Sequence, residues 1–403
     1  MTEQTQRQAP PRVTTTEDDG AAPRSELGIV LTGGGARAAY QVGVLRGLAR
    51  RFPNTRFPII TGVSAGAINA VFLAQHPGTL AAAVTDLEEI WRGLSIERVF
   101  RVDTVALSGN FARWVARLTS GGSAKAPEVR GLVDTEPLRE TLQKVLPTVD
   151  GEIIGIQRNL EAGRLGAVAL TTIDYATGQT ITWVEGRDIR TWERPNRRSR
   201  QARLTIQHVL ASAALPLLFP AVRLAGSWHG DGGIRLSAPL SPSIHLGASR
   251  VLVISTRYER DHAEADRPTI RGYPPPAQIL GKLLNSVFLD LVDQDVARLQ
   301  KMNELLERVP ETLRGDFRPI EAQVLRPSED LGRLAGEYEP ELPTTFRFLT
   351  RSLGTRETSS PDFLSLLMFD PHYLERLMTI GERDAEAAAP ALEKILRVPA
   401  TPA

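Results

Sequence analysis

Short apolar runs closed by glycine or proline alternate along this chain with longer segments whose apolar residues recur at helical spacing. "LGIVLT" (27–32), stopped by Gly33-Gly34-Gly35, reads as a buried strand. In "ARAAYQVGVLRGLARRF" (36–52), Ala39, Val42, Leu45, Leu48 and Ala49 share one helical face, and arginines gather late, where the helix dipole favours them. "FPII" (57–60) predicts a second buried strand, and "SAGAINAVFLAQ" (64–75) an apolar helix closed by Pro77-Gly78. "GTLAAAVTDLEEIWRGL" (78–94) predicts another helix. "DTEPLRETLQKVL" (134–146) predicts a helix capped by Asp134, with Pro137 in its first turn.

Further on, "LGAVALTTID" and "QTITWVEG" read as two strands joined by Tyr175-Ala176-Thr177-Gly178. "TIQHVLASAA" (205–214) is a short helix ended by Pro216, and "RVLVIST" (250–256) a further buried strand. The charged, proline-rich "RDHAEADRPTIRGYPPP" (260–276) reads as a loop or hinge. Beyond it, "AQILGKLLNSVFLDLVDQDVARLQKMNELLERV" is one long amphipathic helix or two consecutive ones. A strand-like "FRPIEAQVLRP" and helices across 362–397 follow. This mixture of apolar strands and helices argues for a layered α/β fold.

Composition narrows the classes. The 403 residues are 42% hydrophobic and 24% charged, enough to bury a sizeable core. With 48 basic and 47 acidic residues the net charge is +1, which gives no reason to expect nucleic acid as a partner. The absence of cysteine excludes disulfides, a thiol nucleophile and thiolate metal sites, and it fits a reducing compartment. The polar first 26 residues lack the apolar stretch of a secretory signal and read as a disordered leader. No apolar run approaches the ~20 residues that cross a bilayer. The expectation is a cytoplasmic protein whose contact with membrane is peripheral. Phe111, Trp114, Val115 and Leu118 form an apolar stripe beside Arg113 and Arg117, readable as a lid, a membrane-touching helix or plain core.

Two glycine-rich turns carry the candidate chemistry. Three glycines between a strand and a helix, at 33–35, expose backbone N–H groups to an anion. A dinucleotide site would want an acid about 20 residues on. The chain offers Pro53, Asn54, Thr55 and Arg56 there, and no Gly-Lys-Ser/Thr follows to make a P-loop. A tight turn without ligand is the plainer reading of the glycines alone. "GVSAG" then places Ser64 between Gly62 and Gly66, with a strand before it and an apolar helix after it. That setting suits a serine nucleophile on a strained elbow. A serine N-cap is the alternative. Six histidines exist, His76, His208, His229, His245, His262 and His372, and none announces itself as a base. In "GSWHGDGGIRLSAPL" (226–240), Asp231 before Gly232-Gly233 reads by itself as a turn residue.

"GGGARAAYQVGVL", "GVSAG", "ASAALPLLFP" and "DGG", in this order, resemble the patatin-like phospholipases, over at least residues 27–256. The stretch "LSLLMFDPHYLERLM" is similar to the C-terminal part of bacterial members. The resemblance implies a three-layer α/β/α fold with a central, mainly parallel sheet and additional C-terminal helices. It divides the chain into a leader (1–26), a catalytic core (27–256), a loop (257–276), a helical extension packed on the core (277–397) and a frayed tail (398–403). It also implies a serine acyl hydrolase with a Ser–Asp dyad, Ser64 as nucleophile and Asp231 as general base, with Gly33, Gly34, Gly35 and nearby Arg37 forming the oxyanion hole. A histidine base is then not needed. Where the family has glycine after that arginine, this chain has Ala38. The implied substrate is a phospholipid or another acyl-ester lipid, with no cofactor. No His/Asp/Glu cluster has metal-ligand spacing, so no metal is expected.

Other assignments stay open. A triad with a late base such as His262 or His372 is one, and a lipid-binding module without catalysis is another. Arg37 could serve a lipid phosphate or sit exposed on its helix. His229 and Asn69 read as packing residues.

Overall fold

The computed structural model describes residues 26–101, 119, 131–270, 272–288 and 291–397. Residues 1–25 of the expected leader, the tail and the 111–118 stripe lie outside the described residues, and Glu26, assigned to the leader, begins β1. A ten-stranded mixed sheet organises them: β1 Glu26–Leu31, β2 Ile59–Val63, β3 Ala167–Asp174, β4 Thr180–Gly186, β5 Glu193–Arg194, β6 Arg197–Gln201, β7 Val222–Leu224, β8 Ser227–Asp231, β9 Ala248–Ile254 and β10 Glu321–Leu325. The order is β10-β9-β1-β2-β3-β4-β6-β5, with β8 on β3 and β7 on β8. The run from β10 to β3 is parallel, and β4 and β8 pair antiparallel to β3.

The central strands β1, β2 and β3 are buried on both faces, which is why they read as largely apolar runs. In β1, Ile29 and Leu31 join the larger core, while Val30 joins a second cluster with Ile59, Val251 and Val253 on the opposite face. The larger core contains α1 Ala39–Arg51, α2 Ala65–Gln75, α3 Leu80–Arg92 and α4 Glu136–Val145. Helix α2, buried through most of its length, lies directly behind the β2 turn. A short helix, α5 Ile206–Ser212, lies against β3 and β8.

Two details differ from the sequence reading, and one choice that it left open is decided. The N-cap position of α4 is Thr135, whose side chain makes no cap bond, while Asp134, one residue before it, accepts from the Glu136 N–H at 2.9 Å. The segment after residue 276 forms the two consecutive helices, α6 Pro276–Phe288 and α7 Leu291–Glu307. The stretch read as loop or hinge holds a helical turn, His262–Ala265, and a bridge from Ile270 to Thr358.

Helices α8 Asp362–Leu367, α9 Pro371–Ala387 and α10 Ala389–Leu396 bring the C-terminal segment back onto the core. Helix α9 crosses α1 closely because glycines face backbone on both sides. A Cβ on Gly43 would lie 1.9 Å from the Met378 carbonyl oxygen, and one on Gly381 would lie 2.2 Å from that of Tyr40. Gly43→Ala is therefore expected to lower stability by about 1–3 kcal/mol, the usual cost of overpacking. Denaturant unfolding measures this, and an unchanged midpoint would show that the crossing has slack.

Candidate active site

Strand β2 ends at Val63, and the chain turns sharply into α2 at Ser64. Ser64 has φ 57 and ψ −134, a conformation that L-residues rarely adopt and that costs about 1–3 kcal/mol. The flanking glycines permit the turn by close approach. A Cβ on Gly66 would lie 2.3 Å from the Leu31 carbonyl oxygen and 2.4 Å from that of Thr32. A Cβ on Gly62 would lie 2.5 Å from the Gly66 carbonyl oxygen. The Ser64 side chain makes no N-cap hydrogen bond. Its N–H donates to Ser212 Oγ at 3.1 Å, and that hydroxyl donates to the Thr171 carbonyl at 2.7 Å. The sequence reading missed Ser212; its place in "ASAALPLLFP" was the available signal.

The glycine loop lies beside this turn. A Cβ built on Gly33 would meet Ser64 Cβ at 3.0 Å. Gly34 has φ 153 and Gly35 φ 54. No hydrogen bond found in the turns and loops of the described residues consumes the N–H of Gly34 or Gly35. Buried polar groups brace the loop from behind. Gln41 Nε2 donates to the Thr32 carbonyl at 2.8 Å. Asn69 Nδ2 donates to Gln41 Oε1 at 2.9 Å and to the Ala38 carbonyl at 3.2 Å. Trp91 Nε1 donates to Asn69 Oδ1 at 2.8 Å.

Asp231 ends β8, paired with Thr172 of β3, and Thr171 is in register with Val63 just before the serine. Strand pairing thus carries a carboxylate from 167 positions downstream to the elbow. Gly232 follows where a Cβ would lie 2.3 Å from the Thr171 carbonyl oxygen. The carboxylate is fully buried. Oδ1 accepts from the Gly233 N–H at 2.9 Å, while Oδ2 has no hydrogen-bond partner of ordinary geometry. Burial pushes the Asp231 pKa up to about 7; the nearby Ser64 hydroxyl and the Gly233 N–H pull the other way.

Arg37 is not the exposed helix arginine the sequence allowed. It is 3% exposed. Its Nε donates to Ser365 Oγ at 2.6 Å, and its Nη2 pairs with Asp362 Oδ1 at 2.9 Å, both on α8. Its N–H donates to the Gly34 carbonyl. Burial works to raise the pKa of Asp362, yet Arg37 and Lys282 hold it below the ordinary carboxylate value. The guanidinium is thus spent on holding the loop to the C-terminal segment.

Ser64, Gly34 and Gly35 open into a narrow apolar pocket. Phe72 and Trp91 line it from the core, Leu142 from α4, and Leu366 and Phe369 from the C-terminal segment. No histidine lines this pocket among the described residues. His229 is buried, its Nδ1 3.0 Å from Thr172 Oγ1. Contrary to the spacing argument, the fold does bring Glu341, Asp370 and His372 together, with potential ligand atoms within 4.8 Å of one another. These atoms already serve a His372–Glu341 contact and the N-cap of α9.

A family model described as patatin-like phospholipase matches residues 29–244, over half of the chain and inclusive of the glycine loop, Ser64 and Asp231. This chain belongs to the patatin-like phospholipase family. No protein of curated function matches it. Among solved structures, VipD from Legionella pneumophila is 14% identical with a TM-score of 0.31, over 87% of this chain and 67% of that one. Human GIVD cytosolic phospholipase A2, solved with methyl gamma-linolenyl fluorophosphonate, is 13% identical with a TM-score of 0.43, over 92% and 59%. The type III effector ExoU is 16% identical with a TM-score of 0.29, over 89% and 54%. The chain spans about three fifths of the length of the human enzyme. In this patatin-like chain no described helix is long and apolar enough to cross a membrane.

Two outcomes follow from the electrostatics. Between about pH 4 and 7 the folded chain holds a proton on Asp231 that the unfolded chain releases, so stability falls as pH rises through that window. Above it, the buried carboxylate costs roughly 4 kcal/mol. Asp231→Asn should therefore unfold later than the parent at pH 8, with the gain shrinking towards pH 4; an equal midpoint at pH 8 would mean that the carboxylate is solvated. Asp362→Asn should destabilise by about 3–5 kcal/mol in urea, because Arg37 would keep its charge in a buried site.

Proposed function

We propose that this chain is a lipid acyl hydrolase that cleaves carboxylic esters of phospholipids, lysophospholipids or acylglycerols through an acyl-Ser64 intermediate. One observation carries the reading: a fully buried carboxylate, near enough for the Ser64 hydroxyl to act on its pKa, beside a serine that is held at positive φ and lines an apolar pocket.

In the proposed reaction the acyl chain lies against Phe72, Trp91 and Leu142, with its ester carbonyl at Ser64. Asp231 accepts the hydroxyl proton as Ser64 Oγ attacks. The negative charge that develops on the carbonyl oxygen meets the N–H groups of Gly34 and Gly35, which have no other turn or loop partner. Gly33 lets the loop approach the serine, and Gly62, Gly66, Gly232 and Gly233 let the two turns close on it. Arg37 supports the hole by fixing the loop and does not donate to the oxyanion. Asp231 then protonates the leaving alcohol and activates a water that frees the acid. A base of pKa near 7 suits both directions of proton transfer at neutral pH.

Ser64→Ala should abolish ester hydrolysis and labelling by a fluorophosphonate probe. Asp231→Asn should lower kcat by about 10²–10⁴. In the parent, activity should rise with pH through about 7 as Asp231 ionises. A lipid-panel assay beside the Ser64→Ala control checks all three. Near-normal turnover by Asp231→Asn defeats the dyad, and a histidine variant as inactive as Ser64→Ala points to a triad. A folded chain that never labels at Ser64 is a binding module.

A further inference from the structure

The strand register fixes which turns surround the proposed site. Asp231, Thr172, Ile181 and Arg198 form one row across β8, β3, β4 and β6. Past that row, at the end of the sheet that carries Ser64, three connections project side by side. They are the β7–β8 turn at Ala225-Gly226, the β3–β4 turn at 175–178 and the β5–β6 turn at Pro195-Asn196. Hydrogen bonds join neighbours among them: the Tyr175 N–H donates to the Trp228 carbonyl, and the Thr180 N–H to the Asn196 carbonyl.

These turns display aromatic and cationic side chains together. Two aromatic residues stand in solvent, Tyr175 at 45% and Trp228 at 44% exposure. Leu217, between the pocket-lining Leu215 and Phe219, is 67% exposed. Arg194, Arg223 and Arg235 are exposed around them. Arg235 lies across the β3–β4 turn, donating to the Gly178 carbonyl at 2.8 Å, and Arg223 is in register with Trp228. The acids on these strands and turns offset little of this. Asp174 is buried and bonded to Ser227 and Thr177, Asp231 belongs to the site, and Glu193 is exposed next to Arg194. Asp295 faces Arg197, which is therefore left out of the surface.

We infer that this rim is a docking surface for an anionic phospholipid bilayer. Tyr and Trp favour the headgroup level, where one end of the ring is wet and the other apolar. Each arginine near an anionic leaflet adds attraction that salt screens. The location makes the contact useful, because the rim stands at the same end of the sheet as Ser64. The inference rests on the lipid-hydrolase reading for its choice of partner, but its test does not depend on turnover.

The full chain carrying Ser64→Ala is mixed with vesicles of phosphatidylcholine alone, or of phosphatidylcholine and phosphatidylglycerol in equal parts, and binding is followed by flotation. Binding to the mixed vesicles alone, weakened by added salt, is the expected result. Adding Arg194→Glu, Arg223→Glu and Arg235→Glu should weaken it roughly 100-fold. Trp228→Ala should weaken it with the arginines intact. Equal binding before and after the three substitutions overturns the inference. So does binding that ignores salt, or none at all, and both are read on the chain with its arginines intact. With Ser64 present, the triple variant should hydrolyse a soluble short-chain ester at the parent rate, so loss of the active-site reading and loss of the docking surface are seen separately.

Discussion

At the centre of the molecule two backbones touch. The Cα of Gly66, in the first turn of α2, lies against the carbonyl oxygens of Leu31 and Thr32, where no side chain fits. The contact sets the glycine loop and the serine turn side by side. Gly33 approaches Ser64, Ser64 is held at φ 57, and the amides of Gly34 and Gly35 reach the pocket. The buried Gln41–Asn69–Trp91 chain keeps this contact in one geometry, since each of those polar groups would be costly to bury unpaired.

The same loop is held from its other side by residues that lie beyond the family match. A Cβ on Gly35 would meet the Leu366 carbonyl oxygen at 2.1 Å, so α8 is pressed against the loop as closely as α2 is. Arg37 spans the junction to Asp362 and Ser365. Leu366 and Phe369 then complete the pocket wall. The C-terminal segment is therefore part of the site's architecture, joined by a buried ion pair whose halves are 325 positions apart.

Burial sets a conflict at Asp231. Removing water from a carboxylate destabilises the charged fold, and the same removal lifts the group towards neutral pH. A solvated aspartate would cost the fold little, but it would be a poor base. Stability and basicity are thus set by one variable, the dryness of the β8 end.

Local chemistry is what a sequence records well. The strands β1, β2, β3, β4 and β9 were legible because burial on both faces leaves unbroken apolar runs. The elbow was legible because only glycine tolerates such close approach. Strands β5 to β8 were missed, being short and polar, with "RRSRQ" giving no apolar signal. Asp231 looked like a turn residue on local grounds, and only resemblance singled it out; its full burial depends on pairing with β3. Arg37 sits on a short helix whose outward face is unknown until α8 covers it. Ser212 carries no pattern of its own. The α/β character, the glycine loop and the serine turn are legible from the residues alone, because these follow from near neighbours in the chain. Which carboxylate loses its water, where the arginine points and which segment closes the pocket are settled in three dimensions, because those depend on contacts between residues far apart in the chain.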